Sequence, residues 1–93
     1  MRYELVVQSE AIIEMQESFE WYETRRSGLG YEFIEEIEDG FEKLSQSPQH
    51  YSAVDQVYRK LRIRRFPYLI VFEIEDGKVV VIAVRRVSQE PRF

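Results

Sequence analysis

Apolar and polar positions change their period along the chain, and the changes mark its elements. Residues 3–8, rich in strand formers, predict a strand that stops at Ser9, a good helix N-cap. Ile12, Met15, Phe19 and Tyr22 then recur at three- and four-residue intervals, one stripe of an amphipathic helix that Arg25 and Arg26 close and Ser27-Gly28 breaks. Leu29, Phe33, Ile37, Phe41 and Leu44 make the stripe of a second helix, ended at Ser47-Pro48. Gly40 inside it costs about 1 kcal/mol against alanine, so a close neighbour is expected there. The short Gly-containing turn between the two makes an antiparallel helical hairpin. Residues 49–56 have no period and predict a loop.

From residue 56 the period falls to two. Leu61 and Ile63 alternate with Lys60, Arg62 and Arg64. Residues 66–75 and 78–87 are two further strands joined by Asp76-Gly77, a turn with positive φ at both central positions. This turn sets Glu75 opposite Lys78, Phe72 opposite Val81, Ile70 opposite Ala83 and Tyr68 opposite Arg85. On the other face Val71 meets Ile82, Leu69 meets Val84 and Pro67 meets Arg86. The result is an α+β domain spanning residues 1–93: an N-terminal strand, a helical hairpin, then a three-stranded antiparallel meander (β-α-α-β-β-β). The hairpin is expected on the Ile70, Phe72, Ile74 face, with small Ala83 admitting a helix closely. The face of Leu69, Val71, Ile82 and Val84 is also apolar, and needs a partner, a second subunit or the chain's own tail to cover it.

Charge sharpens this picture. The net charge of −4 divides into four basic against twelve acidic groups in residues 1–50, net −8, and nine against five in residues 51–93, net +4. Arg59, Lys60, Arg62, Arg64 and Arg65 crowd into seven positions, with Arg85 and Arg86 on the last strand. Such clusters suit phosphate backbones and acidic protein segments alike, or protect an edge strand from stray pairing. Without cysteine there is no disulfide framework or thiolate metal site. No signal-peptide pattern or membrane-length apolar run is present, so a cytoplasmic protein with no membrane partner is expected. No nucleophile–base set, metal-ligand spacing or phosphate loop appears, and His50, the only histidine, is given no role. Neither a cofactor nor a catalytic residue is expected.

Residues 21–51 followed by 58–84 resemble the RelE/ParE toxin superfamily, in particular its plasmid-stabilisation branch. The most specific part is Arg59-Lys60-Leu61 running into Arg65-Phe66-Pro67-Tyr68, then Phe72. The resemblance implies a sheet flanked by a helical hairpin and a toxin neutralised by an antitoxin whose tail wraps over it. Some members cleave messenger RNA on the ribosome; others poison DNA gyrase. Members often carry arginine where this chain has Leu69, and many carry histidine where it has Arg86, on the sheet face where the nucleases keep their chemistry. Arginine titrates too high for ordinary acid–base work. A gyrase-directed, non-enzymatic toxin is therefore the first expectation. A nuclease using Arg62, Arg64 or Arg86 to stabilise charge is the second, and a decayed member that only binds its antitoxin the third. The expected partners are a cognate antitoxin and either gyrase or the ribosome, in a homodimer or toxin–antitoxin hetero-oligomer. The expected partner-binding residues are Leu69, Val71, Ile82, Val84, Arg59, Lys60, Arg62, Arg64, Arg65 and Arg86.

Overall fold

A computed structural model describes residues 2–89. Strand β1 (Glu4–Val7) leads into helices α1 (Ser9–Arg25) and α2 (Leu29–Gln46). A short 3-10 turn, Pro48–His50, precedes strands β2 (Tyr58–Arg62), β3 (Tyr68–Glu75) and β4 (Lys78–Arg86), and a second 3-10 turn, Val87–Gln89, follows. The four strands form one sheet in the order β1-β4-β3-β2. β2, β3 and β4 make the antiparallel meander, while β1 runs parallel to β4. The chain thus returns at its end to cover its beginning. Asp76 and Gly77 both have positive φ, 48° and 77°, as the tight hairpin requires, and Glu75 faces Lys78.

The expected hairpin register holds only for the half nearer the turn. Ile74, Glu73 and Phe72 face Val79, Val80 and Val81, but the next pair is Val71 with Ala83. Ile82 is an extra residue on β4, a β-bulge, and it shifts every later pair by one. Ile70 therefore meets Val84 rather than Ala83, Leu69 meets Arg85, and Tyr68 meets Arg86. Because side chains alternate across a strand, this shift exchanges the faces. Val84, expected on the open face, is 1% exposed in the helix-side core beside Ile70. Arg86 turns to the helix side with it, and Ala83 goes to the outer face.

The helices pack on the Ile70 and Phe72 side, burying Phe33, Ile37 and Leu44 of α2 against Leu61, Val79 and Val81. Gly40 is where α2 comes closest to the sheet. A Cβ there would stand 2.8 Å from Ile70 Cδ1 and 3.4 Å from Leu61 Cδ2. The small residue that admits the helix is thus on α2, not Ala83. α1 is rotated from its expected stripe: Ala11 and Tyr22 are buried, Met15 packs partly, and Ile12 remains 49% exposed. Gln8, not Ser9, holds its N-cap position, without a side-chain bond. The α2 N-terminus has a better arrangement. Glu23 of α1 accepts from the Gly28 and Gly30 N–H groups at 3.2 and 2.6 Å, placing a carboxylate at the positive end of the dipole.

Candidate functional site

The basic cluster is divided by the fold into groups with different occupations. Arg59 shares the helix-side face with Leu61, and its guanidinium donates to the carbonyls of Gln49 and Tyr51 at 3.4 and 2.9 Å. It holds the loop before β2. Arg65 adopts φ 71° and pairs with Glu32 at 2.5 Å and Glu36 at 3.7 Å, tying the β2–β3 connection to α2. Glu32 also pairs with Arg26, and the two guanidiniums, Arg65 foremost, hold its carboxyl below the usual range. Lys60 and Arg62 lie on the outer face, directly across from Val71 and Leu69. Arg64 is exposed just beyond β2.

Leu69, Val71, Ile82 and Ala83 make the apolar floor of that outer face. Val71 is only 2% exposed and Leu69 is also buried, with the long stems of Lys60, Arg62 and Arg85 at neighbouring cross-strand positions. Ile82, pushed out by the bulge, is half-buried. It lies with Val71 and Ala83 in a groove of about 310 Å³ whose rim includes Tyr58, Glu73 and Arg85. Burial, reinforced by neighbouring Glu75, pushes the Glu73 carboxyl up from its ordinary value. Val71 and Ile82 thus come together as expected, joined by Ala83 and Tyr58, while Val84 and Arg86 leave the set.

On the opposite side of β4, Arg86 stands 5.2 Å from the Trp21 ring centre, beside the buried pair Tyr22 and Tyr68. Burial raises the Tyr22 phenol, and the Arg86 charge draws it partly back. The Tyr68 hydroxyl donates to Ser18 at 2.9 Å. Glu14 accepts from the Val84 N–H at 2.9 Å and from Arg85 at 3.1 Å. Glu14 and Trp21 carried no sequence signal for this role. A glutamate on a helix full of glutamates reads as a solvated face, and its contact depends on the bulge. Among the described residues no three His, Cys, Asp or Glu side chains gather as a metal site would need. Among the same residues no helix is long and apolar enough to cross a membrane.

A four-stranded mixed sheet with a helical hairpin on one face and a charged-rimmed apolar groove on the other defines a small α+β domain. Comparison with known proteins narrows this class. Residues 6–91 match the family described as the ParE toxin of type II toxin-antitoxin system, parDE. The chain belongs to the ParE toxin family. A solved structure titled as the chromosomal ParDE TA system from P. aeruginosa has the same fold, with a TM-score of 0.81. At 13% identity it covers 91% of this chain and 96% of its own. Among curated proteins, none matches the sequence.

Proposed function

We propose that this chain is the toxin of a plasmid-stabilisation pair, that it inhibits DNA gyrase in the cytoplasm, and that a cognate antitoxin neutralises it by laying an ordered segment over the outer sheet face. The observation that carries the antitoxin site is the groove floored by Val71, Ile82 and Ala83 and rimmed by Arg85, Tyr58, Glu10 and Glu73, with Lys60 and Arg62 across from Val71 and Leu69 on the same face. Apolar side chains of the antitoxin would fill the strip and its carboxylates would meet Arg62 and Arg85, away from the two glutamates. A tail that orders on binding must repay its lost entropy through such anchors. Against a nuclease weigh Leu69 and Arg86, which stand where members of the superfamily often carry arginine and histidine and which here lie on opposite faces of the sheet.

Induced expression, alone and with a candidate antitoxin co-expressed, tests the reading. The expected result is growth arrest with a DNA-damage response and no transcript cleavage, inhibition of purified gyrase, and rescue by the antitoxin. Ile82→Glu should fold, since Ile82 is half-buried, and should escape rescue. Transcript cleavage without gyrase inhibition would replace the reading with the nuclease one. Growth unaffected by a folded chain would leave a binding module only. Normal rescue of Ile82→Glu would move the antitoxin off this groove.

A further inference from the structure

β1 stops at Val7, opposite Val81, and among the described residues no strand continues along that edge of β4. α1 stands across the gap instead. Together they enclose a cleft of about 470 Å³ lined by Glu14, Ser18, Trp21, Tyr68, Val84 and Arg86. Most of its polar groups are matched. Glu14 accepts from the Val84 N–H and the Arg85 guanidinium, and the Tyr68 hydroxyl donates to Ser18. Arg86 is the exception. Its Nε is shut off from solvent and, among the described residues, has no hydrogen-bond partner. A buried donor on a charged group is costly to leave unmatched, and native proteins rarely do so without a use. The Trp21 ring offers its π face but no acceptor oxygen, and the Arg25 guanidinium also lies over that ring, at 4.2 Å. Trp21 itself is 40% exposed, leaving indole surface for a further contact. Glu17 also borders the cleft, yet no ion pair joins it to Arg86 among the described residues.

We propose that this cleft receives an acidic side chain from a protein segment, with the Arg86 side chain turning its Nε–H outward to the carboxylate and Trp21 covering the adjoining methylene and a flanking apolar residue. A guanidinium edge suits a planar carboxylate, and the cleft is larger than one acidic side chain, so neighbouring residues of the segment enter too. The α1 wall, with Glu14 and Glu17, disfavours a nucleic acid, whose strand brings a phosphate at every nucleotide, but tolerates one carboxylate held at Arg86. The cleft lies on the opposite side of β4 from the Val71 groove and is a second point of attachment. That the segment belongs to the antitoxin rests on the function proposed above; the preference for a carboxylate does not.

Trp21 is the only tryptophan, so its fluorescence reports this cleft alone, and the Arg86 Nε–H is observable by 15N–1H NMR. The probes are acetyl-Leu-Asp-Leu-amide, its Asn counterpart and inorganic phosphate, titrated into the whole chain. The aspartyl peptide should move both signals saturably and bind about tenfold more tightly than the asparaginyl one, the difference a charge-assisted bond makes. Arg86→Lys keeps the cation but lacks Nε, and should abolish that tenfold preference while circular dichroism stays unchanged. If Arg86→Lys fails to fold, the wild-type Nε resonance decides alone. Equal binding of both peptides, no movement of the Nε signal, or tighter binding of phosphate would overturn the proposal. So would a shift of the Nε resonance in peptide-free Glu17→Gln or Glu90→Gln, because the chain would then supply its own acid. None of these results depends on toxicity or gyrase, so the cleft and the function can fail separately.

Discussion

Gly40 offers a sharp test of the packing, because two opposed effects meet at one atom. Replacing it with alanine in mid-helix should stabilise α2 by about 1 kcal/mol through backbone entropy. The added Cβ, however, would lie 2.8 Å from Ile70 Cδ1, a contact that real Cβ atoms do not make, while Leu61 and Ile63 at 3.4 and 3.5 Å are near ordinary contact. Ile70 is fully buried, so its end methyl has little room to retreat, and overpacking of this kind costs about 1–3 kcal/mol. Gly40→Ala should therefore destabilise by about 0–2 kcal/mol. Ile70→Val alone should cost about 1 kcal/mol, the usual loss for one buried methylene group. In the double variant the clashing methyl is gone, the new Cβ partly fills the space, and the helix gain is expressed. Its stability should return to within about 0.5 kcal/mol of the wild type, a favourable coupling of about 1 kcal/mol or more. Urea unfolding followed by circular dichroism, extrapolated linearly, measures all four corners of the cycle. Additivity within about 0.5 kcal/mol would refute the contact. A Gly40→Ala gain of the full helix increment would show that α2 does not approach the sheet here.

Two further outcomes follow from the surface. Arg2 and, secondarily, Gln46 bond to the Glu42 carboxyl and hold it at about 2 against an ordinary 4.5. A depressed carboxylate stabilises the fold above its unfolded pKa and loses that contribution as pH falls through the folded value. The Glu42 carboxyl resonance should therefore titrate near 2 and return toward 4.5 in Arg2→Ala; a wild-type midpoint near 4.5 would remove the pair. Arg65, at φ 71°, should respond differently to glycine and alanine. Glycine relieves about 1 kcal/mol of left-handed strain and offsets the lost exposed pairs, whereas alanine keeps the strain and loses them. Thermal unfolding in which the alanine variant is the more stable would contradict this backbone.

Periodicity revealed the order of elements because the burial of Phe33, Ile37 and Leu44, and of Ile70 and Phe72, is written as spacing. It failed where the partner lay outside the segment. α1 shows little contrast between its faces, since Ile12 and Ile13 remain exposed while Ala11 carries the contact, so no stripe picks out the buried side. The bulge at Ile82 was invisible because Val79 to Val84 is apolar throughout, and an apolar run has no phase to betray an extra residue. That single slip carried Val84 and Arg86 to the wrong face of the expected site. The groove residues Val71 and Ile82 survived it, Val71 because it lies on β3 and Ile82 because it is the bulged residue itself. The division of the arginine cluster was equally hidden. Whether Arg59 or Arg62 is engaged depends on the carbonyls of residues 49 and 51, which no charge pattern encodes.

The parallel pairing of β1 with β4 joins Glu4 to Lys78 and Val7 to Val81, nearly the full length of the chain. Contacts so distant in sequence are closed late, after local helix and hairpin contacts have formed, because the loop entropy between them must be lost first. On the ribosome the delay is set by synthesis itself: β1 is made first and waits, unpaired, until Val81 has been added. With chain growth at roughly 5–20 residues per second, that interval lasts several seconds. The first strand finds its place in the sheet only after Lys78 to Val81 have been translated, so a shorter nascent fragment has no complete toxin fold with which to act. A partner synthesised alongside it has that interval in which to accumulate before the sheet closes.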